Sequence, residues 1–162
     1  MNSAWVSFPL LAISALTLAQ NRPSGSIAQE MLTAHNAARS RVSVQPLSWS
    51  NSLADTAQNW AESLLANGKF AHRPQSEYGE NLFEIRGGNA SPSQVVTSWV
   101  DEAKDYNHAA NTCRAGAMCG HYTQVVWKNT KQVGCAVARN AQREVWVCNY
   151  DPPGNWRGER PF

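Results

Sequence analysis

At 162 residues, the chain has the length of one domain. Hydrophobic residues make up 43% and charged residues 16%, which excludes a disordered chain and a protein embedded in the membrane over its whole length. The formal net charge of +2 arises from acidic and basic residues spread without a basic run, so nucleic-acid binding has no electrostatic support.

The first segment predicts export. Residues 1–20 carry no charged side chain, and the apolar run from Trp5 to Leu18 is short for a membrane span but suits the hydrophobic part of a signal peptide. We expect a signal peptide over 1–19, cleaved before Gln20, with no integral membrane span left after cleavage. An uncleaved anchor is the alternative, because the usual positive charge before the apolar run is missing.

Three helices are predicted after a flexible lead-in over 20–25. The first covers about 26–40, and the second follows Trp49 and stops at Asn67-Gly68, where glycine permits the left-handed conformation. Ser91-Pro92-Ser93-Gln94 combines an N-cap serine, a proline in the first turn and a glutamine that completes a capping box. The apolar positions at helical spacing are Ile27, Met31, Ala34 and Ala38, then Leu53, Ala57, Trp60 and Leu64, then Val95, Val96, Trp99 and Ala103.

Strand patterns come late in the chain. HYTQVVW (121–127) alternates polar and apolar residues, and 133–139 and 144–150 read as a hairpin. The tail DPPGNWRGERPF is too rich in proline and glycine for regular structure. Helices followed by an antiparallel sheet predict the α+β class, with one domain over 26–162.

The four cysteines are expected to form two disulfides in an exported protein. Folding 133–150 as a hairpin places Cys135 opposite Cys148, close enough for a bridge. Cys113 and Cys119 then close the small loop CRAGAMC. Zinc ligation by the cysteines is disfavoured, because the sequence has no CxxC pair at ligand spacing.

Four titratable residues are candidates for a functional cavity. Glu102 shares the apolar face of the third helix with Trp99, where an unpaired carboxylate would be costly. His121 begins the predicted HYTQVVW strand, His72 follows the second helix, and Glu80 follows a glycine that permits close backbone approach. Periodicity alone leaves open whether the four converge.

Longer motifs carry a family resemblance. GHYTQVVWKNTKQVGCAVA and VWVCNYDPPGNWRGERPF, with AHNAARSRVSVQPLSWSNSLADTAQNWA and YGENLF before them, resemble the signatures of the CAP superfamily, most closely its pathogenesis-related-1 branch. The resemblance covers about residues 28–162. It implies a three-layer α-β-α sandwich with a central antiparallel sheet.

The resemblance also implies a cavity that holds two histidines and two glutamates. Matched position by position, these are His72, Glu80, Glu102 and His121, whereas His35 matches a structural histidine of the first helix. Some relatives bind a divalent metal such as zinc in this cavity. We expect a metal-binding cavity here, and purely structural neutralisation among the four groups is the alternative.

For the cysteines, the resemblance agrees with the two bridges above. It adds a third bridge in plant members, between positions matching Lys69 and Asn140, neither of which is cysteine here. Losing that bridge would lower stability by about 2–5 kcal/mol unless other contacts compensate.

The resemblance implies a secreted binding module for a sterol or fatty acid, with a role in defence or host–microbe interaction. Lipid contact would involve the loop 105–118, whose one aromatic residue is Tyr106. In some relatives a peptide is released from the tail, here 152–162; we favour instead anchoring of the tail by Trp156 and Phe162. We expect a non-enzymatic binder. The alternative is a metal-dependent, protease-like hydrolase that uses the same four cavity residues.

Overall fold

The computed structural model describes residues 25–162, with side chains from Ile27 onward. The predicted signal peptide, 1–19, and the lead-in up to position 24 lie outside the described residues. The first helix is α1, Gly25–Ser40, in agreement with the predicted bounds. Within the described part of the chain, no helix has the length and apolar character needed to cross a bilayer.

The caps predicted for the next two helices are present. Helix α2, Asn51–Asn67, ends at Gly68 in the left-handed conformation (φ 65°). Helix α3, Pro92–Val100, begins with the reciprocal capping box of Ser91 and Gln94. The α-helical conformation stops at Val100, short of the predicted Ala103, and a 3₁₀ helix, Asp101–Asp105, continues the chain. Glu102 therefore lies on this 3₁₀ helix.

Four strands form the main sheet, and a two-stranded hairpin lies in the 105–118 loop. In spatial order the main strands are β1 (Ser48–Trp49), β5 (Gln132–Arg139), β6 (Arg143–Asp151) and β2 (Gly79–Arg86); the hairpin pairs β3 (Tyr106–Asn107) with β4 (Thr112–Cys113). Strands β5 and β6 confirm the predicted hairpin. The predicted antiparallel sheet is present in β5, β6 and β2, and the two-residue β1 adds a parallel pairing with β5 that makes the main sheet mixed.

Both predicted disulfides are present. Cys135 and Cys148 are directly opposed across β5 and β6 and are bonded. Cys113 is bonded to Cys119 across the CRAGAMC loop. Among the described residues there is no free cysteine.

The sheet separates two hydrophobic layers, as the three-layer prediction requires. On β6, Val145 and Val147 pack with α2 on one face, whereas Trp146 and Tyr150 belong to the core with α1 and α3 on the other. Gly134 lets α2 approach β5 closely, since a Cβ atom there would overlap the α2 backbone.

The predicted strand 121–127 was wrong. Its first residues form a short helix α4, Gly120–Val125, and the side chains from Tyr122 to Trp127 are all buried, without alternation. The carboxylate of Glu102 accepts hydrogen bonds from the backbone N–H groups of His121 (3.0 Å) and Tyr122 (3.1 Å). These donors at a helix start would otherwise lack partners, so a residue distant in sequence stabilises the helix here.

Candidate functional site

His72 and Glu80 form the first of two histidine–glutamate pairs. His72 lies in the loop after α2, and its Nδ1 is 2.7 Å from Oε1 of Glu80, near the start of β2. The same oxygen accepts a hydrogen bond from the backbone N–H of Arg73 (3.1 Å). The His72 side chain is 65% exposed, and that of Glu80 only 4%. The hydrogen bond to Glu80 raises the pKa of His72, and partial burial offsets some of this effect.

His121 and Glu102 form the second pair. Nδ1 of His121 is 2.6 Å from Oε1 of Glu102, and both side chains are largely buried. The His121 ring lies nearly parallel to the indole of Trp99, with 17° between the planes and 6.2 Å between the centroids. Glu102 thus fixes the ring of His121 and the start of α4 at the same time.

A cleft of about 320 Å³, hereafter the histidine cleft, lies between these pairs. Its lining includes His72, Glu80 and His121, together with Asn81, Met118, Gly120 and Asn155. Glu102 is not part of the lining. The structure therefore brings three of the four predicted residues to one cleft, with Glu102 bound to His121.

The side chains of the histidine cleft offer donor types that zinc uses. Each Nδ1 faces its carboxylate, which leaves Nε2 of His72 and of His121 as the nitrogen for a metal, in the carboxylate–histidine arrangement found around zinc. Oε2 of Glu80 is buried without a hydrogen-bond partner and adds an oxygen donor. No three of the four predicted side chains bring ligand atoms within 4.8 Å of one another. Metal binding would therefore require side-chain movement, for which the exposed His72 has room.

In one cluster of the described residues the potential ligand atoms do lie within 4.8 Å of one another, but this cluster is not a metal site. His35, Cys135 and Cys148 lie together in the core, and the two sulfurs are already joined in a disulfide. Without free thiolates the cluster lacks the donors that zinc requires.

A buried hydrogen-bond chain connects His35 to the histidine cleft, and sequence reasoning missed most of it. His35 Nδ1 is 2.7 Å from the backbone oxygen of Met31, and its Nε2 is 2.9 Å from the Tyr150 hydroxyl. Asn81 donates to that hydroxyl and to the backbone oxygen of His121, both at 3.1 Å. Burial lowers the pKa of His35 to about 4 and raises that of Tyr150, so both side chains stay neutral. Asn81 lies in the motif YGENLF and Tyr150 in CNYD, and their places in these motifs were the signal by which the sequence could have identified them.

The structure places the predicted lipid residue, Tyr106, and the two predicted tail anchors, Phe162 and Trp156, in different environments. Tyr106 is half-buried, packs beside Tyr122 with 6.0 Å between the ring centroids, and donates to Asn111 (2.7 Å). Phe162 is half-buried and stacks on His108 at 4.4 Å. Trp156, by contrast, is 57% exposed, so its predicted role as a buried anchor was wrong. Its indole N–H donates to the carbonyl of the nearby Pro153, a contact within the tail itself.

One class of protein combines this three-layer sandwich with two disulfides and paired histidines. The chain belongs to the cysteine-rich secretory protein (CAP) family, whose model matches residues 32–150.

Within that family the chain is similar to plant pathogenesis-related proteins. It is 48% identical to pathogenesis-related protein 1A of Nicotiana tabacum over 153 residues, which cover 94% of this chain and 88% of that protein. It is 42% identical to a pathogenesis-related protein of PR-1 type from Sambucus nigra, over 96% of this chain and 94% of that protein.

Solved structures share the fold at lower identity. Schistosoma mansoni venom allergen-like protein 4 matches with a TM-score of 0.70 and 23% identity, covering 84% of this chain and 93% of that chain. A crystal structure of NaASP2 with Zn²⁺ matches with a TM-score of 0.72 and 24% identity, covering 88% of each chain.

Proposed function

We propose that this chain is an exported, defence-related binding protein whose histidine cleft holds a divalent metal ion and turns over no substrate. The observation that carries the proposal is the pairing of each cleft imidazole with its own carboxylate. Such a carboxylate orients the ring and increases the basicity of the nitrogen that faces the metal. The defence role rests on the names of the pathogenesis-related relatives.

Export is part of the same proposal. Two disulfides in a chain of this size are typical of an oxidising compartment. We assign residues 1–19 to a signal peptide and 26–162 to the CAP domain. Mass spectrometry of the chain collected from the medium of secreting cells tests this assignment: an N-terminus at Gln20 supports it, and retention of residues 1–19 contradicts it.

His72 and His121 would hold the metal through Nε2, with Glu80 and Glu102 on the opposite nitrogen of each ring. A bound divalent ion would supply a positive charge that attracts an anionic or carbonyl oxygen of a ligand. The residues of this chain orient the two imidazoles through hydrogen bonds of 2.7 and 2.6 Å. The neighbouring Trp99 ring limits the orientations open to His121.

The second candidate function is a metal-dependent hydrolase. One observation favours it: Oε2 of Glu80 is buried without a partner beside His72, where a general base would be needed. The lining of the histidine cleft contains no serine or cysteine nucleophile. Hydrolysis would therefore have to use a water molecule, with Glu80 as the base.

Sterol or fatty-acid binding by the 105–118 loop is a separate proposal, on a surface that adjoins the histidine cleft at Met118. Tyr106 is engaged by Asn111 and Tyr122, and the large apolar side chain that this loop exposes is Met118, at 64% exposure. We assign lipid contact to Met118. A sterol pull-down that fails with Met118→Ser and persists with His72→Ala would support the assignment, and equal retention by both variants would contradict it.

Calorimetric titration with zinc and with calcium tests the metal proposal. We expect one zinc ion per wild-type chain and a loss of affinity of at least about tenfold in His72→Ala and in His121→Ala. His108→Ala is the matched control, since His108 lies outside the histidine cleft, and it should bind as the wild type does. Unchanged affinity in both cleft variants would overturn the proposal.

An ester and peptide turnover assay on the same proteins separates the two functions. The binder predicts no turnover with metal present. Turnover that is lost in both cleft variants and kept in the control would establish the hydrolase.

A further inference from the structure

A second cleft, of about 360 Å³, lies between the tail after β6 and the loop that contains the Cys113–Cys119 disulfide. We call it the tail cleft. Its aromatic lining is Tyr106, Trp127 and Trp156, and the polar side chains in the lining are those of Asn111, Thr123, Asn155 and Glu159. It shares Gly120 and Asn155 with the histidine cleft and none of the paired histidines and glutamates.

Trp156 presents its ring to solvent from a backbone that is fixed in place. The side chain is 57% exposed, and its Nε1 donates to the Pro153 carbonyl at 3.1 Å. The adjacent Asn155 accepts a hydrogen bond from Thr123 (2.7 Å) and donates to the Gly120 carbonyl (2.8 Å). Exposure of this large ring is therefore built into an ordered segment, which reduces the entropy lost when a ligand stacks on it.

Trp127 supplies an unused donor beside the same cleft. The residue is buried, lines the tail cleft, and its indole Nε1 has no hydrogen-bond partner in the described residues. A buried donor without a partner is costly, but this atom is closed to solvent, so a ligand oxygen or water would accept from it only after a local movement of the cleft wall.

The lining selects for a ligand with many hydroxyl groups and little charge. Glu159 is the one ionised side chain in the lining, which does not favour a polyanion. The Tyr106 hydroxyl donates to Asn111, and Asn111 donates to the backbone oxygen of Glu159, which leaves a lone pair on the hydroxyl and a second N–H on the amide for a ligand. A sterol or fatty acid carries a single polar end and would leave these remaining positions dehydrated. A sugar ring has an apolar C–H face for an indole and hydroxyl groups around its edge for polar partners.

We propose that the tail cleft binds a neutral oligosaccharide, with one sugar ring stacked on Trp156 and its hydroxyl groups directed to Tyr106, Asn111 and Glu159. This site is independent of metal binding, because no paired histidine or glutamate lines it.

The test is an NMR titration of the uniformly ¹⁵N-labelled chain with cellohexaose, xylohexaose and chitohexaose, three neutral probes with exposed C–H faces. We expect at least one of them to shift the indole N–H signals of Trp156 and Trp127. Trp156→Ala should weaken binding about tenfold, the size expected for a lost stacking contact, and Trp156→Tyr should restore most of it. Phe70→Ala is the matched control, because Phe70 is 49% exposed and lies outside the tail cleft.

Two results would overturn the proposal. One is the absence of any indole shift with all three oligosaccharides, and the other is wild-type affinity in folded Trp156→Ala. His72→Ala separates this site from the proposed function: it should lose zinc and keep the oligosaccharide. If zinc displaces a bound oligosaccharide from the wild type but not from His72→Ala, the histidine cleft is the sugar site, and this result also contradicts the proposal.

Discussion

The guanidinium of Arg143 donates a hydrogen bond of 2.5 Å to the backbone carbonyl of Lys69. The same side chain donates to the carbonyl of Leu64 (3.0 Å) and pairs with Glu84 (2.6 Å). The resemblance implies that plant relatives have a third disulfide between the positions that match Lys69 and Asn140, neither of which is cysteine here. Arg143 lies three residues after Asn140. Its buried hydrogen bonds thus connect the segment after α2 to the β5–β6 hairpin without a covalent bridge.

Arg143→Met is therefore expected to lower the free energy of unfolding by about 3 kcal/mol, because it removes the buried one of the two guanidinium partners of Glu84 and leaves two carbonyls without their donor. Chemical denaturation measures the change. Arg86→Gln is the control: Arg86 contacts the same carboxylate from a side chain that is 69% exposed, and its loss should cost under about 1 kcal/mol. Equal destabilisation by the two variants would refute the assigned role of Arg143.

His35 makes stability depend on pH. Its pKa is lowered from 6.5 to about 4, chiefly by burial, so the unfolded chain binds a proton that the folded chain excludes between these values. Stability from this residue is complete above pH 6.5 and is lost as the pH falls toward 4, by about 3 kcal/mol. The slope of unfolding free energy against pH should flatten over this range in His35→Gln. A slope identical to that of the wild type would contradict this.

Glu102 is expected to act on both the metal and the local fold. Glu102→Gln retains the shape but removes the charge paired with His121, so zinc affinity should fall by about 10- to 100-fold while the fold persists. Glu102→Ala should in addition destabilise the chain, because the N–H groups of His121 and Tyr122 lose their acceptor. Asp101→Asn, at an exposed neighbouring position, is the control for charge alone. Zinc affinity unchanged in Glu102→Gln would contradict the role.

Phe162 is expected to protect the tail from proteases. Its ring stacks on His108, and its backbone oxygen is 2.6 Å from Nε2 of that residue. Phe162→Ala should increase the rate of limited proteolysis between residues 151 and 162, because local opening becomes less costly. Trp156→Ala, which removes an exposed ring, should not. If both variants are cleaved at the wild-type rate, Phe162 is not the anchor.

The elements predicted well are those specified by local sequence. Capping residues at Ser91 and Gly68 mark helix ends directly, and the alternation around Cys135 and Cys148 sets the hairpin register without reference to the rest of the chain. The same register identified the correct disulfide.

The elements predicted wrongly depend on distant residues. Helix α4 is stabilised by the Glu102 carboxylate, which lies 19 residues before His121. Its residues from Tyr122 to Val125 are all buried, so the apolar period of a surface helix is missing from the sequence. The parallel pairing of β1 with β5 involves two residues of β1, too few to produce a pattern. Placement of His72 and His121 beside one cleft came from family resemblance, since no periodicity relates residues on a loop and on a short helix.

The most direct test of the account is ¹⁵N NMR of the imidazole rings during a zinc titration. We predict that Nε2 of His72 and Nε2 of His121 shift together and saturate at one equivalent of zinc, while each Nδ1 remains hydrogen-bonded to its glutamate. A response confined to one of these rings, or seen instead at His35 or His108, would contradict a shared metal in the histidine cleft.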